Sequence, residues 1–337
     1  MKALLKFLFY RIFCPFLLFA GFDKLLRRIS KTKRLIIMYH GIGRDINTPI
    51  NGRHLAIEQF EKQLLYFRKN FDIVSLADLC ETRLRRIQPQ KHTIALTFDD
   101  GYLNNISNAL PLLRKYKIPA TFFISTASLE EPDYIHPSDY LDLVNFFISD
   151  KIEINGKIFK RGKYHLVEAS DQKLNIHQYI NSLRPSMWEK TFSDLRIKYP
   201  NEVITNGVDP QMYKLISLSE MAGIGSELLI SIGSHGHQHI NLIQLTEDEI
   251  EHQLSSSKKI LERYATVVDN SLAYPYGIYN RKVLSISRKI GFRYLIAGGD
   301  VEPENRHEVF PRVGVLNLGS YAFNILSINR SFKRFGF

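Results

Sequence analysis

The chain has 337 residues, of which 45% are hydrophobic, so it can bury a full core and form one α/β barrel of ordinary size. Its formal net charge of +11 favours anionic partners such as nucleic acid, acidic glycan or anionic lipid, although a basic surface without a specific partner has the same charge. We find no zinc-finger spacing, aromatic RNA-binding signature or repeat, so nucleic acid is not an expected partner. The two cysteines, Cys14 and Cys80, indicate neither a disulfide framework nor a thiolate metal site, and they leave the compartment open.

The N-terminal residues 4–22 are strongly apolar but carry Lys6 and Arg11. A membrane-spanning helix needs about 20 apolar residues with few charges, which Arg11 disfavours. A cleaved signal needs an uninterrupted apolar region, and the basic residues of 23–28 disfavour it. We therefore predict that residues 1–33 attach to a membrane surface, that of the bacterial inner membrane on either side, as an amphipathic segment. An uncleaved anchor and an ordinary packing helix are the alternatives.

The remaining residues, 34–337, are predicted to form one α/β domain in which strands and helices alternate. Apolar runs predict strands at 34–40, 94–98, 120–125, 228–233, 271–276 and 292–297. Helical periodicity and capping residues predict helices at 57–70, 75–86, 105–117, 246–264 and 281–290. This alternation predicts a mostly parallel sheet with crossover connections.

The alternation breaks between about 127 and 220. Residues 152–154 and 157–159, joined by an Asn-Gly turn, predict a β-hairpin, and residues 178–199 predict a helical region. Because the alternation resumes afterwards, we interpret this stretch as an inserted hairpin-plus-helix region of the same domain. We expect it to influence substrate choice.

Polar side chains stand at the ends of several predicted strands. They are His40, Asp99, Asp100, His235 and Tyr276. In parallel α/β folds the carboxyl ends of the strands carry the chemistry, so these residues are candidates for one site.

The adjacent carboxylates and the downstream histidines fit metal-dependent hydrolysis. Two imidazoles and one carboxylate leave room for water and substrate on a divalent ion, and zinc suits these ligands best. We predict Asp100, His235 and His239 as ligands, provided that a helical turn after the strand lets both histidines face one ion. Asp99 is then free to act as general base. Asp-Asp-Gly alone is an ordinary turn, but the two motifs together, each behind an apolar strand, favour a site.

These motifs resemble those of the polysaccharide deacetylase family of carbohydrate esterases. Residues 97–101 are similar to its first motif, 235–239 to its second and 273–277 to its third. Further similarity at 38–41 and 119–123 extends the resemblance over roughly 34–126 and 225–300. The resemblance implies a distorted (β/α) barrel of the glycoside hydrolase/deacetylase type, a zinc-like metal and removal of acetyl groups from sugars.

The chain departs from the family pattern at two points. Ala273 stands where the third motif usually has an arginine that orients the catalytic aspartate. Our hypothesis is that Arg312 substitutes for it through a charge-assisted bond to Asp99. The late Leu-x-His motif that carries the general acid is not recognisable, which leaves His307 and His40 as candidates, the latter also as a residue that lines the pocket.

Aromatic residues near the strand ends are candidates for sugar binding. Tyr102, Tyr274, Pro275 and Tyr276 are predicted to line the substrate groove, and a backbone N–H near Tyr102 to assist the oxyanion. The alternative is a strand-terminating turn with packed rings, and we favour sugar contact only for Tyr276.

The sequence therefore predicts a metal-dependent hydrolase that removes acetyl groups from the N-acetylated sugars of a polysaccharide or envelope glycan. One alternative is a deformylase or deacetylase of a lipid-linked amino sugar, which the apolar and basic N-terminus would suit. The other is a catalytically degenerate glycan-binding protein, suggested by the missing arginine and the missing late histidine. The intact carboxylate and histidine pairs count against it.

Overall fold

The computed structural model describes residues 2–44, 50–162, 165–171, 173–224, 227–265, 268–315, 317 and 320–337. The strands within this part are β1 (Arg34–Tyr39), β2 (Ile42–Gly43), β3 (Leu55–Ala56), β4 (Asp72–Ile73), β5 (Thr93–Phe98), β6 (Ala120–Ile124), β7 (Lys151–Ile154), β8 (Lys157–Arg161), β9 (Leu166–Glu168), β10 (Ile230–Ser234), β11 (Val268–Ala273), β12 (Tyr294–Gly298) and β13 (Val309–Gly314). The helices are α1 (Lys2–Leu8), α2 (Cys14–Phe19), α3 (Phe22–Arg28), α4 (Ile57–Asn70), α5 (Leu76–Leu84), α6 (Leu110–Tyr116), α7 (Ala127–Glu130), α8 (Pro137–Phe147), α9 (Ile176–Asn181), α10 (Pro185–Lys198), α11 (Asn201–Ile204), α12 (Leu218–Ile224), α13 (Glu247–Tyr264), α14 (Arg281–Ile290) and α15 (Tyr321–Arg334).

Parallel strands close into a barrel. Its order is β1, β13, β12, β11, β10, β6 and β5, and β5 pairs again with β1. The predicted (β/α) barrel is therefore confirmed. Strand β13 was not predicted, because Pro311 and Arg312 interrupt its apolar pattern and proline is unusual inside a central strand. It nevertheless completes the barrel between β12 and β1.

Helices cover the outside of the barrel, and most of those predicted from helical periodicity are present. The capping box that Thr246 and Glu249 were expected to form is present at the start of α13. The predicted helix 105–117 is a π-helical turn, Asn105–Ala109, followed by the shorter α6. Helix α15 was not predicted, and it packs against β1 and α4 through its buried Ile325, Ile328 and Phe332.

The insertion between β6 and β10 contains the predicted hairpin. Strands β7 and β8 pair antiparallel, and Asn155 and Gly156 both have positive φ, as the favoured two-residue hairpin turn requires. Strand β9 extends the sheet, and the predicted helical region is divided into α9 and α10. Helices α8 to α11 and this small sheet bury an apolar cluster of their own, so the insertion is well packed.

The N-terminal helices lie against α15. Arg27 on α3 donates to Asn329 on α15 at 2.5 Å and to Asn70 at the end of α4 at 3.1 Å, which ties α3 to the barrel. Among the described residues no single helix has the length and apolar character to cross a membrane, whereas Leu5–Phe19 and Phe22–Arg28, bent by 66° at their junction, together meet that requirement by length and composition.

Candidate active site

A polar pocket of about 290 Å³ opens at the carboxyl ends of the barrel strands. Its lining includes seven sequence-predicted site residues: His40, Asp99, Asp100, His235, His239, Tyr276 and Arg312. This volume is near the lower end of the roughly 300–1,000 Å³ that ligand sites occupy, which suits one part of a larger substrate. A larger cavity of about 620 Å³ within the insertion contains none of the predicted site residues.

The two adjacent aspartates have different partners. Both follow β5 and are only 2% exposed. The chain turns sharply there, with φ of 72° at Asp100 and 81° at Gly101. Aspartate tolerates this left-handed conformation better than most residues do. The Asp99 carboxylate contacts Arg312, and the Asp100 carboxylate contacts histidines.

Three imidazoles surround one oxygen of Asp100. The Nε2 atoms of His235, His136 and His239 lie 3.4, 3.5 and 3.5 Å from Asp100 Oδ1. This oxygen is buried and has no hydrogen-bond partner within the described residues. A buried carboxylate oxygen without a partner is costly, and a divalent cation among these donors would satisfy it. The residues therefore fit a metal site.

The loop after β10 presents the two predicted histidine ligands without a helix. The expected helical first turn is wrong, because residues 235–241 are irregular. Positive φ at Gly236 (75°) and His239 (53°) bends the loop so that both imidazoles reach Asp100. His235 Nδ1–H donates to the Ala273 carbonyl at 2.7 Å, which leaves Nε2 free to coordinate. His237, which lies between the two predicted ligands in the sequence, points away from them and contacts Thr126.

Burial and neighbouring charges set the protonation of this cluster. Burial lowers the pKa of His136 to about 4 and holds the pKa of His239 well below its usual value. Burial also opposes ionisation of Asp100, but the surrounding imidazoles, His136 first, hold its pKa well below its usual value. Burial also acts to lower the pKa of His235, but Asp99 and Asp100 outweigh it and the pKa is raised. Metal ligands must be neutral imidazoles beside an ionised carboxylate, so metal binding would have to displace a proton from His235 but not from His136 or His239.

Arg312 makes the contact with Asp99 that its sequence position suggested. Its Nη1 and Nη2 donate to Asp99 Oδ1 and Oδ2, each at 2.6 Å. Arg312 is 2% exposed, and its guanidinium carbon lies 5.5 Å from the ring centre of Phe123 on β6, across the barrel interior. A bidentate pair of this kind fixes the orientation of the carboxylate.

The sequence model described as polysaccharide deacetylase matches residues 86–161 and 219–295 of the chain. These ranges contain both aspartates and both histidines of the predicted motifs. Over these two ranges the chain is similar to the polysaccharide deacetylase family.

Relatives of this family match most of the chain at low identity. YxkH of Bacillus subtilis (strain 168) is 21% identical over 259 residues, which are 77% of this chain and 62% of that protein. A Staphylococcus aureus (strain MSSA476) protein named poly-beta-1,6-N-acetyl-D-glucosamine N-deacetylase is 22% identical over 267 residues, covering 78% of this chain and 68% of that protein. The chain thus spans about two thirds of the length of these relatives.

Two solved structures share the fold of this chain. The Streptococcus pyogenes deacetylase PplD, in complex with acetate, superposes with a TM-score of 0.55 at 18% identity, covering 88% of this chain and 97% of that one. IcaB from Ammonifex degensii superposes with a TM-score of 0.57 at 15% identity, covering 89% and 98%. At these identities the likeness supports the barrel fold.

Residues with strained backbone collect at the pocket. Asp100, His239 and Tyr276 are three of the eight non-glycine residues with positive φ in the described part of the chain. Such conformations are unfavourable and collect at functional sites. Tyr276 (φ 60°) turns into the pocket, where its ring centre lies 4.7 Å from that of His239 and its hydroxyl donates to Asn181 at 3.2 Å.

Three of the predicted substrate contacts need correction. Tyr102 is fully buried, and its hydroxyl donates to Asp139 at 2.8 Å below the pocket. Tyr274 is also fully buried, packs on Tyr279 and donates to Ser287, while Pro275 is buried beside it. The sugar-stacking prediction is therefore wrong for these residues, because β11 ends at Ala273 and the turn after it directs only the Tyr276 ring into the pocket.

Only one of the two general-acid candidates lies in the pocket. The His307 side chain is 74% exposed beside Glu308 and lies outside the pocket lining, so the prediction that it acts in the site is wrong. His40 lines the pocket at the end of β1, and its Nδ1 has no hydrogen-bond partner within the described residues. Burial lowers the pKa of His40, against the opposing effect of Asp100 and Asp99.

Several pocket residues were missed from the sequence. His136, His177 and Asn181 come from the insertion, and Arg53 from the loop before β3. Arg53 forms ion pairs with Asp139 and, at 3.2 Å, with Asp142 on α8. Single residues in loops carry no spacing signal, although a histidine directly before the proline that begins α8 marks a helix start.

Proposed function

We propose that this protein is a metal-dependent hydrolase that removes acetyl groups from the N-acetylated sugars of a polysaccharide or envelope glycan. The observation that carries the proposal is the buried Asp100 oxygen surrounded by three imidazole Nε2 atoms, with a second carboxylate, Asp99, beside it. The relative from Staphylococcus aureus, whose name specifies an N-deacetylase of poly-β-1,6-N-acetylglucosamine, supports this substrate class.

Asp100, His235 and His239 would hold the metal, with zinc as the ion best suited to imidazole and carboxylate ligands. When bound, such an ion acidifies water and polarises the acetyl carbonyl. Asp99, oriented by Arg312, accepts the proton of the attacking water. The proton that Asp99 accepts must reach the sugar nitrogen as the C–N bond breaks, and His40, which lines the pocket, is our candidate for the group that carries it there.

The first test is acetate release from oligomers of N-acetylglucosamine, with β-1,6 and β-1,4 linkages compared. Purified protein is expected to release acetate, to lose this activity when a chelator removes its metal and to recover it with added Zn²⁺. Asp100→Asn treated in the same way is expected not to recover, because its neutral amide is a weaker ligand. Metal-loaded wild-type protein that released no acetate would contradict the proposal.

The same experiment separates the two alternatives. Release of formate or acetate only from a lipid-linked amino sugar would identify the lipid-linked substrate. Oligosaccharide binding without any release would identify a degenerate binding protein. The buried pair of Asp99 and Arg312 supports catalysis, because a binding protein has no need of an oriented carboxylate beside a metal site.

We further propose that the N-terminal helices attach to the bacterial inner membrane surface. Large apolar side chains are exposed there, including Phe16 (63%) and Phe19 (92%). Exposed basic residues follow in α3, at Lys24 and Arg28. This combination of apolar and basic residues suits an interface with anionic lipid.

Replacing both Phe16 and Phe19 with serine is expected to weaken binding to vesicles that contain phosphatidylglycerol by at least about tenfold. Burying one large apolar side chain contributes about 1.5–3 kcal/mol, and the substitution removes two such contributions. Co-sedimentation measures the partition. The matched control replaces Ile197 and Leu228, which are 77% and 95% exposed on other parts of the surface. An equal loss in the control would contradict a specific role for the N-terminus.

A further inference from the structure

His136 reaches the proposed metal site from the insertion, which supplies neither of the predicted metal-binding motifs. It is the N-cap residue of α8 and is 1% exposed. Its ring centre lies 4.0 Å from that of His239. Its Nε2 atom is buried and has no hydrogen-bond partner in the part of the chain that the structure describes. Buried polar atoms nearly always have a partner, so this atom needs one.

The spacing around Asp100 fits ligands of a single ion. In a tetrahedral zinc site with bonds of about 2.0–2.2 Å, neighbouring ligand atoms are about 3.3–3.6 Å apart. His136 Nε2 lies 3.5 Å from Asp100 Oδ1, as does His239 Nε2, and His235 Nε2 lies at 3.4 Å. The ligand atoms of Asp100, His136 and His239 are all within 4.8 Å of one another, whereas His235 is related to this group through its distance of 3.4 Å to Asp100 Oδ1. His136 thus has the same relation to Asp100 as the two histidines of the sequence motif.

A hydrogen bond from His136 to Asp100 explains the short distance between them less well than a shared metal ion does. The Ser138 N–H lies 3.3 Å from His136 Nδ1, and if it donates there, the neutral ring carries its proton on Nε2. That proton would then point toward Asp100 Oδ1 at 3.5 Å, which is too long for an N–H···O bond. The contact with Ser138 also exceeds the usual 2.7–3.2 Å. Coordination through Nε2 would place the proton on Nδ1 and give up only this long contact.

We infer that His136 is an additional ligand of the metal, so that three imidazoles and one carboxylate hold it. This inference rests on the proposed metal dependence. Coordination by His136 would link the insertion to the barrel at the active site, because His136 is the N-cap residue of α8. With four protein ligands, a bound ion would have to expand its coordination to take the attacking water or a substrate oxygen.

The test counts ligands directly. X-ray absorption of the zinc-loaded protein measures imidazole scattering, and competition with a chromophoric chelator measures the dissociation constant. Wild type is expected to show three imidazoles and His136→Phe two, with the dissociation constant raised by more than 100-fold. Loss of a residue that only supports a ligand typically costs about 10–100-fold. The matched control is His237→Phe, which changes a histidine in the same ligand loop that faces Thr126.

A second variant covers the case in which phenylalanine disturbs folding. His136→Ala leaves a cavity, and added imidazole is expected to restore the third scattering ring and the affinity. An unchanged imidazole count and affinity in both variants would overturn the inference and leave the proposed deacetylase intact. Wild-type protein that binds no stoichiometric metal would instead overturn the metal-dependent function together with this inference.

Discussion

Replacing Asp99 with asparagine is expected to lower acetate release by about 10²–10⁴-fold while the metal content stays unchanged. An amide cannot accept the proton of the attacking water, and a positioned general base typically contributes a factor of this size. The adjacent Asp100 carries the ligand oxygen, and it keeps its histidine neighbours in the variant. In Asp100→Asn, by contrast, we expect the metal content to fall, and acetate release to fall as a consequence. Asparagine suits that position, since it tolerates the φ of 72° that Asp100 adopts.

The effect of Asp99→Asn on folding stability must be measured separately from its effect on acetate release. In Asp99→Asn an amide NH₂ faces a guanidinium N–H, and breaking a buried ion pair costs about 3–5 kcal/mol. Asp269→Asn is the matched control. It replaces a carboxylate bonded to Ser231 and Ser271 at the opposite end of the barrel. Acetate release is measured below the melting temperature of each variant. An Asp99→Asn protein that is folded, metal-loaded and fully active would contradict the assignment of the base.

The barrel and the motif residues were predictable because both depend on short stretches of sequence. An apolar run followed by a polar residue identifies the carboxyl end of a buried strand, and parallel strands bring those ends together. Asp99, Asp100, His235 and His239 each lie one to five residues after such an end, so their proximity could be predicted without knowledge of long-range packing.

Residues whose position depends on long-range packing were not predictable. His136 reaches the site because the insertion folds back over the barrel, and its sequence neighbourhood shows only a helix start. Strand β13 was not predicted because Pro311 and Arg312 interrupt its apolar pattern. Its position in the barrel is nevertheless what brings Arg312 to Asp99.

The prediction that Tyr274 contacts the sugar was wrong for a different reason. In an extended strand Tyr274 and Tyr276 would point to the same side. Strand β11 ends at Ala273, and the left-handed conformation of Tyr276 turns its ring into the pocket while Tyr274 remains in the core. A change in one dihedral angle thus decides which ring reaches the substrate, and the pattern of residue types does not encode it.

Replacing Arg312 with methionine is expected to lower kcat by up to about 10²-fold while the metal content stays unchanged, because a misplaced catalytic group can cost a factor of this size. The guanidinium donates to both oxygens of the buried Asp99 carboxylate, each at 2.6 Å, and so fixes its orientation. Methionine has no donor to replace these bonds. Steady-state kinetics at saturating substrate measure kcat, and the zinc content of the variant is measured alongside.

Arg312→Lys distinguishes charge from geometry. A lysine keeps the positive charge but cannot make the two parallel bonds of 2.6 Å that fix the Asp99 carboxylate. We expect kcat to fall in this variant as well, but less than in Arg312→Met, because the charge is kept while the carboxylate is less well oriented. Arg34→Met is the matched control, since Arg34 is equally buried (3% exposed) at the amino end of β1, far from the pocket. If Arg312→Met kept the wild-type rate, then Arg312 would not substitute for the arginine replaced by Ala273, and its pairing with Asp99 would serve only the stability of the barrel.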